Sequence, residues 1–357
     1  MLLLSLMKIT KTTNPKEKMD PTKLTFGTEF TDHMFVMDYE QGKGWHNAQI
    51  LPYGPIELSP AAMVLHYAQE TFEGLKAYRL PDGNIQFFRP YENARRLNRS
   101  NERMCIPEID EEDFMEGLRA LVELDKDWVP SAEGTSLYIR PFVFATDPFV
   151  GVRVSKTYKF IIILSPVGAY YATGLQPTHM YVEEHYARTV KGGTGEAKCG
   201  GNYASSLAAQ EKAGKLGYQQ ILWLDSLEHK YIEEVGTSNV IFKIDGEFIT
   251  PSLSGTILAG ITRKSILELL RYWGETVVER QITIDELEKA YKEGKVEEVF
   301  ATGTAAVISP IGSLTYKDEE MVFNNGEIGS YSQKIYDTLF GIQTGKIEDP
   351  FDWTVKL

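Results

Sequence analysis

The run KTYKFIIIL, Lys156 to Leu164, constrains the fold more than any other segment. Its unbroken apolar end, Phe160 to Leu164, reads as a central strand covered on both faces. SLYIRPFVF, Ser136 to Phe144, is a second strand. FVMDYE and AQILPY form two more, joined through Gln41 to Gly44. GLKAYRL, the turn Pro81-Asp82-Gly83 and NIQFFR make a hairpin, because this turn chemistry tolerates φ > 0 at the glycine. Ser59-Pro60 is expected to open a helix. Glu92 to Arg103 and Glu111 to Leu124 read as helices, the second with Phe114, Leu118, Leu121 and Val122 at helical spacing. The first half is therefore α+β.

At about 150 residues per domain, 357 residues suggest roughly two domains. The segment VGAYYATGLQP has turn residues and no period, so a linker is expected at 170–182 between domains at 23–169 and 183–357. The second domain contains the strand QILWLD, the hairpin NVIFKI-Asp245-Gly246-EFIT, a core-facing helix with Ile266, Leu269, Leu270 and Trp273, and the strand EVFATG. The apolar start MLLLSLMK is followed by a polar, turn-rich stretch and fits neither a secretory signal nor a membrane span. Residues 1–22 are expected to be a flexible leader. A formal net charge of −13 argues against nucleic acid or an anionic membrane as partner. The two cysteines, Cys105 and Cys199, form no CxxC pair, which disfavours a zinc ribbon or disulfide framework and fits a cytoplasmic protein.

The segment from Lys191 to Tyr203 sets five glycines around Lys198. It is not a P-loop, because Ala197 and Cys199 flank the lysine where glycine and Ser/Thr are needed. It is not a dinucleotide fingerprint either, since Lys198 stands where the third glycine belongs. A flexible surface loop is the plainer reading. Two further segments resemble anion sites. Leu258 to Thr262 leads into a helix and Thr302 to Ala306 follows a strand, each offering backbone N–H groups beside a hydroxyl. Together with an arginine and the glycine-flanked lysine they suggest a phosphorylated cofactor.

Nine segments in this order resemble the branched-chain-amino-acid aminotransferases of fold type IV, which use pyridoxal 5′-phosphate (PLP). They are FTDHM from Phe30, FEGLKA from Phe72, FRPYENARRL from Phe88, YIRP from Tyr138, PVGAY from Pro166, KCGGNYASS from Lys198, EVGTSN from Glu234, AGITR from Ala259 and TGTAA from Thr302. The resemblance spans Phe26 to about Trp353. It implies a two-domain α/β (α+β) fold similar to D-amino-acid aminotransferase, a small N-terminal and a large C-terminal domain, and an active site at the domain interface.

The resemblance assigns Lys198 as the catalytic lysine, since a primary amine can form a Schiff base with the cofactor aldehyde and then shuttle a proton. Glu234 matches the carboxylate on the pyridine nitrogen, and Glu233 is expected to be a solvated surface charge on the other face. Tyr203 matches the phenol on the ring hydroxyl. Arg96, Gly260, Ile261, Thr262 and Thr304 match the phosphate cradle. Phe30, Tyr67, Phe72, Tyr138 and Tyr170 match an aromatic pocket for a branched side chain, with Arg140 two residues from Tyr138 on one strand face. Arg140 is the candidate partner of an acidic substrate chain. Thr237, Thr304 and Ala305 complete the substrate contacts.

The implied reaction moves the amino group of leucine, isoleucine or valine to 2-oxoglutarate, giving glutamate, with a homodimer as the expected assembly and no metal. The mammalian members carry a CxxC pair after the threonine-alanine turn, where this chain has Ala306 to Ser309. A D-amino-acid transaminase or an aminodeoxychorismate lyase would share Lys198 and Glu234 without the YIRP and FEGLKA pair. A phosphate- or nucleotide-binding module without chemistry would carry no chromophore.

Overall fold

The computed structural model describes residues 7–168 and 175–357. The chain divides into two compact units, each with its own nine-stranded sheet.

The first unit takes Met1–Ala172, Ala197–Gly200 and Gly341–Leu357. Across its sheet the strands run Lys8–Ile9, Gly44–Pro52, His33–Glu40, Thr157–Val167, Ser136–Ala145, Leu75–Arg79, Ile85–Phe88 and Thr354–Lys356, and Glu70–Phe72 also pairs with Ser136–Ala145. Thr157–Val167 is flanked on both sides by antiparallel neighbours, which its apolar run requires. Along Ser136–Ala145 the side chains alternate. Leu137, Ile139 and Val143 join Phe160, Ile162, Phe114 and Leu118 in the main core, so the helices Pro90–Arg103 and Glu111–Leu124 cover that face. Asp110 caps the second helix, its side chain accepting from the N–H groups of Glu112 and Asp113. Tyr138, Arg140 and Phe142 belong to the opposite face, where the functional groups lie.

Three expectations are corrected here. Part of the leader is held in place: Lys8–Ile9 pairs with Gln49 and Ile50, Thr12 N–H donates to His33 Nε2 at 2.9 Å, and Lys16 N–H donates to Asp32. Ser59-Pro60 opens a turn and not a helix, because Ala62 bridges to Pro148 and leaves only Val64–Tyr67 helical before the left-handed Ala68. The final strand Thr354–Lys356 returns to pair with Gln86 to Phe88, and Ala197–Gly200 also joins the first unit, so the N-terminal unit is the larger and 183–357 is not one domain.

The second unit takes Thr173–Glu196 and Gly201–Phe340. Its strands run Ile232–Val235, Gln220–Leu224, Thr178–Glu183, Val307–Tyr316, Val296–Gly303, Asn239–Ile244, Glu247–Thr250 and Val277–Glu279, with Glu319–Val322 paired to Val307–Tyr316. Thr178–Glu183 pairs in parallel with both neighbours, so the end of the expected linker is sheet. Ile266, Leu269 and Leu270 of the helix Ile261–Tyr272 are buried, as their spacing requires. Among the described residues no helix is long and apolar enough to cross a membrane.

Candidate active site

Lys198 belongs to the first unit, held there by its backbone. Its carbonyl accepts from Phe72 N–H at 3.0 Å and its own N–H donates to Ser100 Oγ at 2.9 Å. Two residues on, Gly200 N–H donates to the Glu70 carboxylate, and a Cβ at Gly200 would collide with that oxygen. The glycine is needed for close approach. These bonds fix the main chain and leave the amine half-buried, its Nζ 4.8 Å from the centre of the Phe72 ring.

Arg96 lies on the inner side of its helix and is buried against Glu73, which is fully buried. Nε donates to Oε1 at 2.7 Å and Nη2 to Oε2 at 2.9 Å, and Asn93 Nδ2 adds a third donor at 2.8 Å. Burial pushes Glu73 upward, but Arg96, Lys198 and Asn93 outweigh it and hold the carboxyl below its ordinary value. Arg95 points outward and pairs with Glu111.

Phe72, Tyr138 and Arg140 form one cluster. The Arg140 guanidinium lies 4.7 Å from the Phe72 ring centre and 5.3 Å from that of Tyr138, and Nη2 donates to the Tyr138 hydroxyl at 2.8 Å. Arg140 Nε is buried with no hydrogen-bond partner. Phe26, which the sequence reading did not select, packs edge-on to Tyr138 at 4.8 Å. Phe30 instead stacks on Tyr53 at 5.0 Å. Tyr67 is exposed at 38%, and its hydroxyl donates to the Val150 carbonyl. Tyr170 lies outside the described residues.

Glu234 belongs to the second unit, on the strand Ile232–Val235, and is buried. Oε1 accepts from Leu258 N–H at 2.7 Å, and Oε2 lies 3.3 Å from Arg188 Nε. Arg188 is buried too, and its Nη2 donates to the carbonyls of Gly195 and Thr256. No motif singled out Arg188, because it acts through another side chain from far away in sequence. The expectation that Glu233 is a surface charge is wrong. It is buried, it accepts from Thr256 Oγ1 at 2.5 Å, and its other oxygen has no partner. Burial pushes its carboxyl up against the lowering effects of Thr256 and Arg188.

In the same unit Gly260 N-caps the helix Ile261–Tyr272 in extended conformation without a side-chain cap, and Ile261 and Thr262 form its first turn. A Cβ at Gly260 would collide with the Asn239 side-chain oxygen. Thr237 is exposed in the tight turn closed by Val235 and Ser238. Thr304 and Ala305 are half-buried in the turn between Val296–Gly303 and Val307–Tyr316, and Tyr203 is half-buried in the short helix Gly200–Ala204. Among the described residues no group of three or more His, Cys, Asp or Glu could hold a metal ion.

Residues 70–314 match the amino-transferase class IV family model. The chain belongs to this family. Branched-chain-amino-acid aminotransferase 2 of Bacillus subtilis is 57% identical over 351 residues, which are 98% of this chain and 97% of that protein. The crystal structure of Escherichia coli branched-chain amino acid aminotransferase covers 89% of this chain and 98% of its own, with 28% identity and a TM-score of 0.74. A solved branched-chain amino acid aminotransferase (T.th.) complexed with N-(5′-phosphopyridoxyl)-L-glutamate covers 89% of this chain and 97% of its own, with 25% identity and a TM-score of 0.72.

In this class IV aminotransferase Cys105 is exposed and Cys199 is 1% exposed. Neither has a thiol at Ala306 or Ser309 to meet. Mild peroxide is therefore expected to leave activity largely intact, because a buried thiol without a neighbouring cysteine is slow to oxidise. Strong inactivation reversed by dithiothreitol and persisting in a Cys105→Ser variant would contradict this.

Proposed function

We propose that this chain is a branched-chain-amino-acid transaminase that moves the amino group of leucine, isoleucine or valine reversibly to 2-oxoglutarate with PLP as cofactor. The observation that carries this reading is the amine of Lys198 over the Phe72 ring, beside Arg140 on the same ring. The donor set fits the cofactor: an amine for the aldehyde, a buried carboxylate for the pyridine nitrogen, and an uncapped helix start for the phosphate. When bound, PLP supplies an electron-withdrawing ring that stabilises negative charge at the substrate Cα.

The chain's own residues then take distinct parts. Lys198 is the amine that would hold PLP through its aldehyde, and once released it would move a proton at the substrate Cα. Glu234 would face the pyridine nitrogen, and Arg188, 3.3 Å from its Oε2, holds Glu234 in place. The N–H groups at Gly260, Ile261 and Thr262, the Thr304 hydroxyl and Arg96, oriented by Glu73, bind the phosphate. Tyr203 binds the ring hydroxyl. Phe72 and Tyr138 line the side that takes the aliphatic chain, and Thr237, Thr304 and Ala305 hold the α-carboxylate.

A homodimer in the cytoplasm completes the reading. Its support is an exposed apolar patch made by Leu65, Tyr67, Phe149, Val150, Val152 and Val154, of which Val152 is 85% exposed. Ala62 bridging to Pro148 and Tyr67 bonding to Val150 make it one surface, and such patches mark association sites.

One pocket must take an aliphatic and an acidic chain in turn, and Arg140 is the partner for the acidic one. A charge-assisted hydrogen bond is worth about 1.5–3 kcal/mol, so Arg140→Ala is expected to lower the glutamate half-reaction by roughly 10- to 150-fold and the leucine half much less. The cofactor spectrum under single-turnover conditions separates the two halves. Equal losses would mean that Arg140 supports the fold or the cofactor.

A further inference from the structure

Glu233 and Glu234 are neighbours on one strand and yet both turn toward the same arginine. The pairing of Ile232–Val235 with Gln220–Leu224 matches Val235 to Leu222 and Ile232 to Leu224, so the two glutamates together oppose the single Trp223. Two residues facing one make a β-bulge, which breaks the alternation of faces and brings the second carboxyl inward. Both side chains are buried, and so is Arg188. The charged groups that act on Glu233 are Arg188, Glu234 and Asp225, the last held by the N–H groups of Leu227, Glu228, Lys230 and Tyr231.

Thr256 ties the pair together. Its hydroxyl donates to Glu233 Oε1 at 2.5 Å and lies 3.0 Å from the Ser254 hydroxyl, while its carbonyl accepts from Arg188 Nη2. Arg188 Nε lies 3.3 Å from Glu234 Oε2, and Glu234 Oε1 accepts from the N–H of Leu258, two residues beyond Thr256. The circuit from Glu233 through Thr256 and Arg188 to Glu234 therefore closes on one loop. Gly195 lets that loop approach, since a Cβ there would collide with the Thr256 backbone, and its own carbonyl accepts from the same Arg188 Nη2 at 3.0 Å. One guanidinium faces two buried carboxyls. Burial favours the neutral form of Glu233, which leaves the arginine to Glu234.

We propose that Glu233 is a positioning residue for Glu234, acting through Thr256 and Arg188. Its oxygen anchors Thr256, whose carbonyl fixes the guanidinium and whose loop presents the Leu258 N–H, so both groups that hold Glu234 depend on it. No contact between Glu233 and a reacting atom is needed. The role asks for an acceptor and not for a charge, so glutamine should serve in its place. This assignment rests on the reading of Glu234 as the partner of the pyridine nitrogen.

The test uses the PLP-loaded enzyme and two readouts: the nitrogen-15 signal of cofactor labelled at the ring nitrogen, followed as pH is raised, and hydrogen exchange of the Leu258 amide. Glu233→Leu and Thr256→Val are each expected to weaken the ring nitrogen's hold on its proton about tenfold, the factor carried by one charge-assisted hydrogen bond, and to speed Leu258 exchange by about as much. Glu233→Gln should leave both readouts near wild type. Should Glu233→Leu fail to fold, Thr256→Val carries the comparison. Unchanged readouts in Glu233→Leu and Thr256→Val, or equal changes in Glu233→Gln, overturn the proposal. Glu234→Gln separates the two readings. If it moves the nitrogen signal while Glu233→Leu and Thr256→Val only speed exchange, Glu233 is a brace of the loop and the proposal falls. If it leaves the signal unmoved, the pyridine reading of Glu234 falls, and Leu258 exchange alone decides whether Glu233 positions that carboxylate.

Discussion

Lys198→Ala is expected to yield a folded protein that has lost both its covalent hold on PLP and nearly all turnover. The fold should survive because two backbone bonds hold this residue, to Phe72 N–H and Ser100 Oγ, and alanine keeps both. The side chain itself is half-buried, with its Nζ 4.8 Å from the centre of the Phe72 ring. Function depends on it twice, first to hold the cofactor aldehyde and then to move a proton at the substrate Cα. General acid–base catalysis alone is worth about 10²–10⁴-fold, so with attachment also lost the fall in turnover should be at the upper end or beyond. Borohydride reduction followed by peptide mapping decides the assignment. The wild type should carry the reduced cofactor on Lys198 and the variant on no residue, and a label on any other lysine sinks it.

Lys198 also marks how far the sequence could be read. The strands around Lys156 to Leu164, the Pro81-Asp82-Gly83 hairpin and the helix with Phe114 and Leu118 were legible because their signals are local: period, turn chemistry and capping. The pairing of Thr354–Lys356 with Ile85–Phe88 was not, because a three-residue edge strand has no period and its partner lies far back in the chain. The tethering of the leader by His33 and Asp32 is hidden for the same reason.

The site divides along the same line. Lys198, Glu234 and Arg140 stand in short segments that could be matched as segments. Arg96 stood in one too, but its pairing with Glu73 depends on Glu70–Phe72 and the strand Leu75–Arg79 bringing that carboxylate to the helix. Glu233 was misjudged because strict alternation was assumed for its strand. The pairing with Gln220–Leu224 shifts register between Leu222 and Leu224, and both neighbouring glutamates end buried near Arg188.

That irregularity sets up the second large effect. Glu234→Gln keeps the shape of the side chain and removes its charge, so Leu258 N–H and Arg188 Nε no longer face two equivalent anionic oxygens. A glutamine can still accept from Leu258 through its carbonyl, but its NH₂ then faces the Arg188 guanidinium, which is a donor as well. Glu233, already close to Arg188, takes over part of the balance, so the variant should fold and retain PLP. What it loses is the anion that keeps the pyridine nitrogen protonated as the substrate Cα gives up its proton. Removing one preorganised electrostatic partner from a developing charge costs about 10²–10³-fold in rate, and a loss of that order is expected in the proton-transfer step. The ring is common to both halves of the reaction, so leucine and glutamate should slow by the same factor, unlike the split expected for Arg140→Ala. Single-turnover rates with each substrate measure both at once. Rates equal to wild type would remove Glu234 from the pyridine nitrogen, and a loss confined to one substrate would move it to the substrate side of the site.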